Sequence, residues 1–81
     1  MKYVVYGFAA CQYCKEAQRL LSERWLPFDA VYIESREERQ KWLDERGLEP
    51  PNRLWPRIVR VNDDGSEDMV GGYTDLAKLI A

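Results

Sequence analysis

Eighty-one residues, 46% apolar and including three Trp, five Tyr and two Phe, suit one small domain over residues 1–81, with apolar surface enough for a packed core and too much for disorder. The formal charge of −2 offers no basic excess for a nucleic-acid partner, and no apolar run reaches the roughly 20 residues of a membrane span. Met1 to Tyr6 carries one positive charge and an apolar stretch too short for a signal peptide, so a cytoplasmic protein is expected.

Tyr3-Val4-Val5-Tyr6 is β-branched and aromatic without clear alternation, the pattern of a central strand covered on both faces. Gly7 ends it. From Gln12 the period turns helical: Cys14, Ala17, Leu20 and Leu21 share one face, with Glu16, Arg19 and Glu23 opposite. Trp25 closes the last turn and Pro27 stops the helix. Phe28 to Ile33 reads as a second strand, and strand–helix–strand of this length predicts a parallel pair with a right-handed crossover. Ser35 with Glu38 is a capping box for a second helix. That helix turns Trp42 and Leu43 inward and ends near Gly47, a natural position for a left-handed residue. Pro50-Pro51 holds Leu48 to Trp55 as a loop. Arg57 to Val61 alternates polar and apolar as a third strand. Asn62 to Ser66 is a turn, and Glu67 to Val70 pairs back in a hairpin. Gly71-Gly72 breaks the chain. Tyr73 or Thr74 precedes a last helix with Leu76, Leu79 and Ile80 on its buried face. The order βαβαββα predicts an α/β fold, a four-stranded mixed sheet with helices on both faces.

The chemistry concentrates in Cys11-Gln12-Tyr13-Cys14, the only two cysteines, set between a strand and a helix. A strand ending in a turn delivers Cys11 to the unpaired N–H groups that open a helix. Those donors and the positive end of the helix dipole favour an anion by about 0.3–2 kcal/mol. A thiolate is the anion that attacks disulfides. Cys14, one helical turn further on and on the same face, is placed to resolve a mixed disulfide. A purely structural disulfide is a poor reading, because so short a loop restrains the unfolded chain by only about 2 kcal/mol. Zinc is also poor: with no histidine, only a second chain or carboxylates could complete four ligands. No metal is expected, and a redox dithiol is the preferred reading.

Three motifs then resemble the glutaredoxins, members of the thioredoxin-like fold: Cys11-Gln12-Tyr13-Cys14, Trp55-Pro56-Arg57-Ile58-Val59, and Gly71-Gly72-Tyr73-Thr74-Asp75-Leu76. The resemblance runs over essentially the whole chain. It implies a dithiol glutaredoxin in which Cys11 is the nucleophile, Cys14 completes the dithiol cycle, and glutathione is the reductant. It also implies that Tyr13 lines the glutathione groove and that Pro56 is cis and faces the dithiol. The Trp55 backbone would pair with the cysteinyl part of glutathione. The glycine–glycine turn implies a γ-glutamyl site at Tyr73, Thr74 and Asp75. Read without the resemblance, the same residues are equally an N-cap and an acidic first turn. Arg53 and Gln40 match positions that meet the glycine carboxylate in the family. The implied partners are glutathione and disulfide-containing proteins, ribonucleotide reductase among the family's substrates, for a protein acting as a monomer.

The sequence also departs from the family pattern. Phe8 stands where many members carry Lys or Arg, Gln12 replaces the usual Pro, and Trp55 replaces the usual Val. Weaker binding of the glycine end is expected, with Lys15 and Arg57 left to supply positive potential. Three alternatives remain: a glutaredoxin-like redoxin fed by thioredoxin reductase, an iron–sulfur carrier bridging two chains through Cys11 and glutathione, and a non-catalytic adaptor with an unreactive Cys11.

Overall fold

The computed structural model describes residues 1–81. Its elements are β1 (Lys2–Gly7), α1 (Gln12–Glu23), β2 (Phe28–Tyr32), α2 (Arg36–Glu45), β3 (Arg57–Val61), β4 (Glu67–Gly71) and α3 (Tyr73–Ile80). The strands form one sheet in the order β2-β1-β3-β4. β1 pairs parallel to β2 and antiparallel to β3, and β3 pairs antiparallel to β4 with an irregularity between Ile58 and Val59. This is the mixed four-stranded sheet with three helices that the sequence predicts.

Strand alternation divides the apolar residues between two layers. Tyr3, Val5 and Ile58 pack with Ala17 and Leu21 of α1 and Leu76 of α3 in the main core. On the opposite face the Tyr6 ring meets Trp42 of α2, their centroids 4.8 Å apart, with Leu43 fully buried nearby in sequence. The helices therefore flank both faces.

Several local expectations need correction. β2 ends at Tyr32, one residue early, although Ile33 N–H still donates to the Gly7 carbonyl at 2.7 Å as the last bond between the two strands. The Ser35 hydroxyl accepts from Glu38 N–H at 3.3 Å, but Glu38 does not bond back, so only half of the capping box forms. α3 starts at Tyr73 with Gly72 as its N-cap, earlier than the sequence suggested, since the Asp75 carboxylate accepts the Gly72 N–H at 3.0 Å. Leu79 is half exposed rather than buried. β3, read as alternating polar and apolar, buries Arg57 as deeply as its apolar neighbours.

Helix endings explain two residues. Gly47 sits at φ +64 after α2, with its N–H on Asp44 O and the Leu48 N–H on Leu43 O, a Schellman ending. α1 closes the same way through Trp25 N–H to Ser22 O and Leu26 N–H to Leu21 O. There the left-handed position is filled by Trp25 at φ +57, a bulky residue that strains the backbone and leaves its ring 93% exposed.

Candidate active site

β1 runs in the core and stops at Gly7, so the chain reaches Cys11 at the N-cap of α1. Cys11 takes extended φ/ψ and its Sγ accepts the Cys14 N–H at 3.2 Å, the bond that Ser or Asp makes at an ordinary N-cap. No acidic residue sits in the first turn of α1 to oppose a sulfur anion. The two cysteines are joined as a disulfide, their Cα atoms 5.3 Å apart. Cys14 is sealed from solvent while Cys11 keeps a small exposed area. That asymmetry suits an attacking sulfur at the surface and a resolving sulfur beneath it. Gly7 makes room for the inner sulfur: a Cβ there would overlap Cys14 Sγ and lie 3.2 Å from Cys14 Cβ.

The loop before Cys11 is tied down across the fold. Cys11 N–H donates to Phe8 O at 3.1 Å, and Ala9 N–H donates to the Glu34 carboxylate at 2.7 Å. The Arg39 guanidinium lies over the Phe8 ring, 4.2 Å from its centroid, and donates to the carbonyls of Ile33 and Glu34. No sequence pattern announces the Ala9–Glu34 and Phe8–Arg39 contacts, which join residues 25 and more positions apart.

Beside the dithiol lies an open groove of about 490 Å³, within the range of small-ligand sites. One wall carries Tyr13 and Tyr73, their rings 5.7 Å apart. Trp55 and Pro56 line it together with Pro51, Asn52 and Leu54, and the Trp55–Pro56 bond is cis. Trp55 also rests on Trp42, 5.6 Å between centroids, so it both borders the groove and covers the second apolar layer. Gly72, Thr74, Asp75 and Arg57 complete the lining. The backbone at Gly71 takes φ +120, and any Cβ there would collide with the Asp75 carboxyl.

Of the residues singled out in the sequence, Tyr13, Trp55, Pro56, Tyr73, Thr74 and Asp75 come together in this groove. Gln40 and Arg53 do not line it. Arg53 donates to Leu48 O, to Gln40 Oε1 at 2.8 Å and to Asp44 at 2.9 Å, fastening the 48–53 loop to α2. The lining also takes in Leu54, which precedes Trp55-Pro56 in the segment resembling the family's, and Pro51 and Asn52, which a loop without a period gives no means to place. Arg57 is the one cation in the lining. It is 5% exposed, and its Nε donates to Leu54 O at 2.7 Å and Pro56 O at 3.2 Å. Burial pushes its pKa down from the usual arginine range, and the attraction of Asp75 opposes that.

A CxxC dithiol at a helix N-terminus on a sheet of this order is the arrangement of a thiol–disulfide oxidoreductase of the thioredoxin-like fold. The glutaredoxin family model matches residues 3–64, and the chain belongs to the glutaredoxin family. Among solved structures it resembles a Francisella tularensis glutaredoxin 1 (TM-score 0.73, 24% identity, 95% of this chain and 88% of that one). It also resembles glutaredoxins from Brucella melitensis (0.69, 24%, 98% and 77%) and Archaeoglobus fulgidus (0.59, 21%, 98% and 84%). At these identities the likeness is one of fold. No curated protein sequence matches the chain.

Proposed function

We propose that this protein is a dithiol glutaredoxin that uses glutathione to reduce protein disulfides and glutathione mixed disulfides. The observation that carries the reading is the groove itself. It runs from Tyr13, between the two cysteines, past Trp55 and cis-Pro56 to the N-terminus of α3. A tripeptide disulfide laid along it would present its sulfur at the cysteine end and its anionic head at the helix end.

Cys11 thiolate attacks one sulfur of the substrate disulfide. That S–S bond breaks, the other sulfur leaves as a thiolate, and water protonates it. In the dithiol route Cys14, deprotonated, attacks Cys11 Sγ and expels the second substrate thiolate. Two electrons have then passed to the substrate, and the protein holds the Cys11–Cys14 disulfide. Two molecules of glutathione return it to the dithiol and leave as oxidised glutathione, which glutathione reductase recycles with NADPH. The setting proposed is a monomer in the cytoplasm, where glutathione keeps such pairs reduced. Protein disulfides are the substrates, that of ribonucleotide reductase among them.

Cys11→Ser should abolish turnover, and Cys14→Ser should spare reduction of glutathione mixed disulfides, which needs one cysteine only. Substantial activity in Cys11→Ser would refute these roles. A redoxin fed by thioredoxin reductase is the second reading, favoured by Phe8 and by the mutual bonding of Arg53 and Gln40.

A further inference from the structure

Between Gly7 at the end of β1 and Cys11 at the N-cap of α1 stand only Phe8, Ala9 and Ala10. The two alanines are exposed and offer no side chain that could fasten the turn, whereas Phe8 is half-buried. What fastens the turn comes from the corner between β2 and α2. Ile33 N–H donates to Gly7 O at 2.7 Å, and the Glu34 carboxylate accepts the Ala9 N–H at 2.7 Å. Arg39 covers the Phe8 ring, its guanidinium carbon 4.2 Å from the ring centroid. Nη1 of Arg39 donates to Ile33 O at 2.8 Å and to Glu34 O at 3.0 Å, so the head is fixed where it meets the ring. No carboxylate pairs with Arg39, and Glu34 spends its side chain on Ala9 instead. A guanidinium held in this way keeps its charge for the aromatic face.

Phe8 carries the turn from both sides: its ring meets Arg39, and its carbonyl accepts the Cys11 N–H at 3.1 Å. Cys11 in turn offers Sγ to the Cys14 N–H at 3.2 Å, the contact that favours a thiolate at an N-cap. A thiolate depends on that contact more than a thiol does, because a charge-assisted hydrogen bond is roughly twice as strong as a neutral one. A reacting atom keeps such geometry only when the groups around it are themselves locked. We propose that Arg39 is a positioning residue for the nucleophile: acting through Phe8, it holds the 8–11 turn so that Cys11 Sγ stays on the opening N–H groups of α1. The inference rests on Cys11 as the attacking sulfur, the role given it above.

The test titrates the Cys11 thiolate by its ultraviolet absorbance, and measures its alkylation by iodoacetamide, in the reduced full chain carrying Cys14→Ser. Arg39→Met and Phe8→Leu should each raise the titration midpoint and slow alkylation below it by about threefold to tenfold, the worth of a weakened N-cap bond. The double variant should be no slower than the worse of the two, since both break the same link. Phe8→Tyr keeps a ring for the guanidinium and should recover most of the lost rate. An unchanged midpoint in Arg39→Met, even with a lowered melting temperature, would overturn the inference. A shift in Arg39→Met with none in Phe8→Leu would overturn it too, because charge alone would then suffice. If Arg39→Met fails to fold, Phe8→Leu and Phe8→Tyr decide the matter, and equal midpoints in those two would overturn it. A parent midpoint at the ordinary cysteine value of about 8.5 would instead remove Cys11 as an activated nucleophile.

Discussion

Gly7→Ala puts one methyl group where the inner sulfur of the dithiol lies. Gly7 is buried at the end of β1, and the new Cβ would overlap Cys14 Sγ and press to 3.2 Å from Cys14 Cβ. Cys14 has nowhere to retreat, being fully buried on α1 beside Ala17 and Leu21. Overpacking of this kind costs about 1–3 kcal/mol, or roughly 4–20 °C of Tm in a domain of this size. Displacement of Cys14 should also slow the dithiol route while sparing turnover of glutathione mixed disulfides. Urea denaturation of Gly7→Ala, Cys14→Ala and the double variant gives the coupling directly. Cys14→Ala removes the sulfur and leaves only the 3.2 Å contact with the remaining Cβ, so Gly7→Ala should cost clearly less in that background than in the parent, if sulfur overlap is the main cause. An equal cost in both backgrounds would refute the reasoning and place the strain in the strand.

Trp25→Gly should stabilise the protein by about 0.5–1 kcal/mol, because it relieves a left-handed backbone at φ +57 and loses a ring that is 93% exposed; a lower melting temperature would contradict this. Arg53→Met should destabilise by about 1 kcal/mol, and a cycle with Gln40→Ala should show coupling between the two, since they share a 2.8 Å hydrogen bond. Asp68 is held below the usual carboxylate range by hydrogen bonds from Asn62 and Arg60. Its folded pKa is depressed, so its contribution is present above the unfolded value of about 3.9 and is lost as pH falls through the folded pKa. Proton-linked unfolding should therefore show a smaller acid-side slope in Asp68→Asn, and an unchanged slope would dismiss the assignment.

The strand–turn–helix around Cys11 was legible because each of its signals is local. The apolar run from Tyr3, a terminal glycine, a cysteine at the N-cap and another at the third helical position all fall within twelve residues. The parallel β1–β2 pair followed from the length of the α1 crossover. What escaped depends on packing between distant elements. Arg57 looks like one polar position of an alternating strand, and only its curl back to Leu54 O reveals it as buried. Arg39 and Phe8 meet across the β2–α2 corner, which no periodicity encodes. Arg53 and Gln40 were drawn to the ligand site by resemblance, whereas the 48–53 loop brings them to each other. Leu79 carried the right helical spacing, but an eight-residue helix on an edge-proximal part of the sheet covers only its Leu76 side fully. Trp25 was placed correctly as the end of α1, yet its left-handed backbone is set by the Schellman bonds around it.

The central claim is that glutathione supplies the electrons. The most direct measurement is NADPH consumption with a small mixed-disulfide substrate, run in parallel with glutathione plus glutathione reductase and with thioredoxin reductase. Turnover in the glutathione arm alone is the predicted result. Turnover only with thioredoxin reductase would contradict the claim and reduce Thr74 and Asp75 to the first turn of a helix.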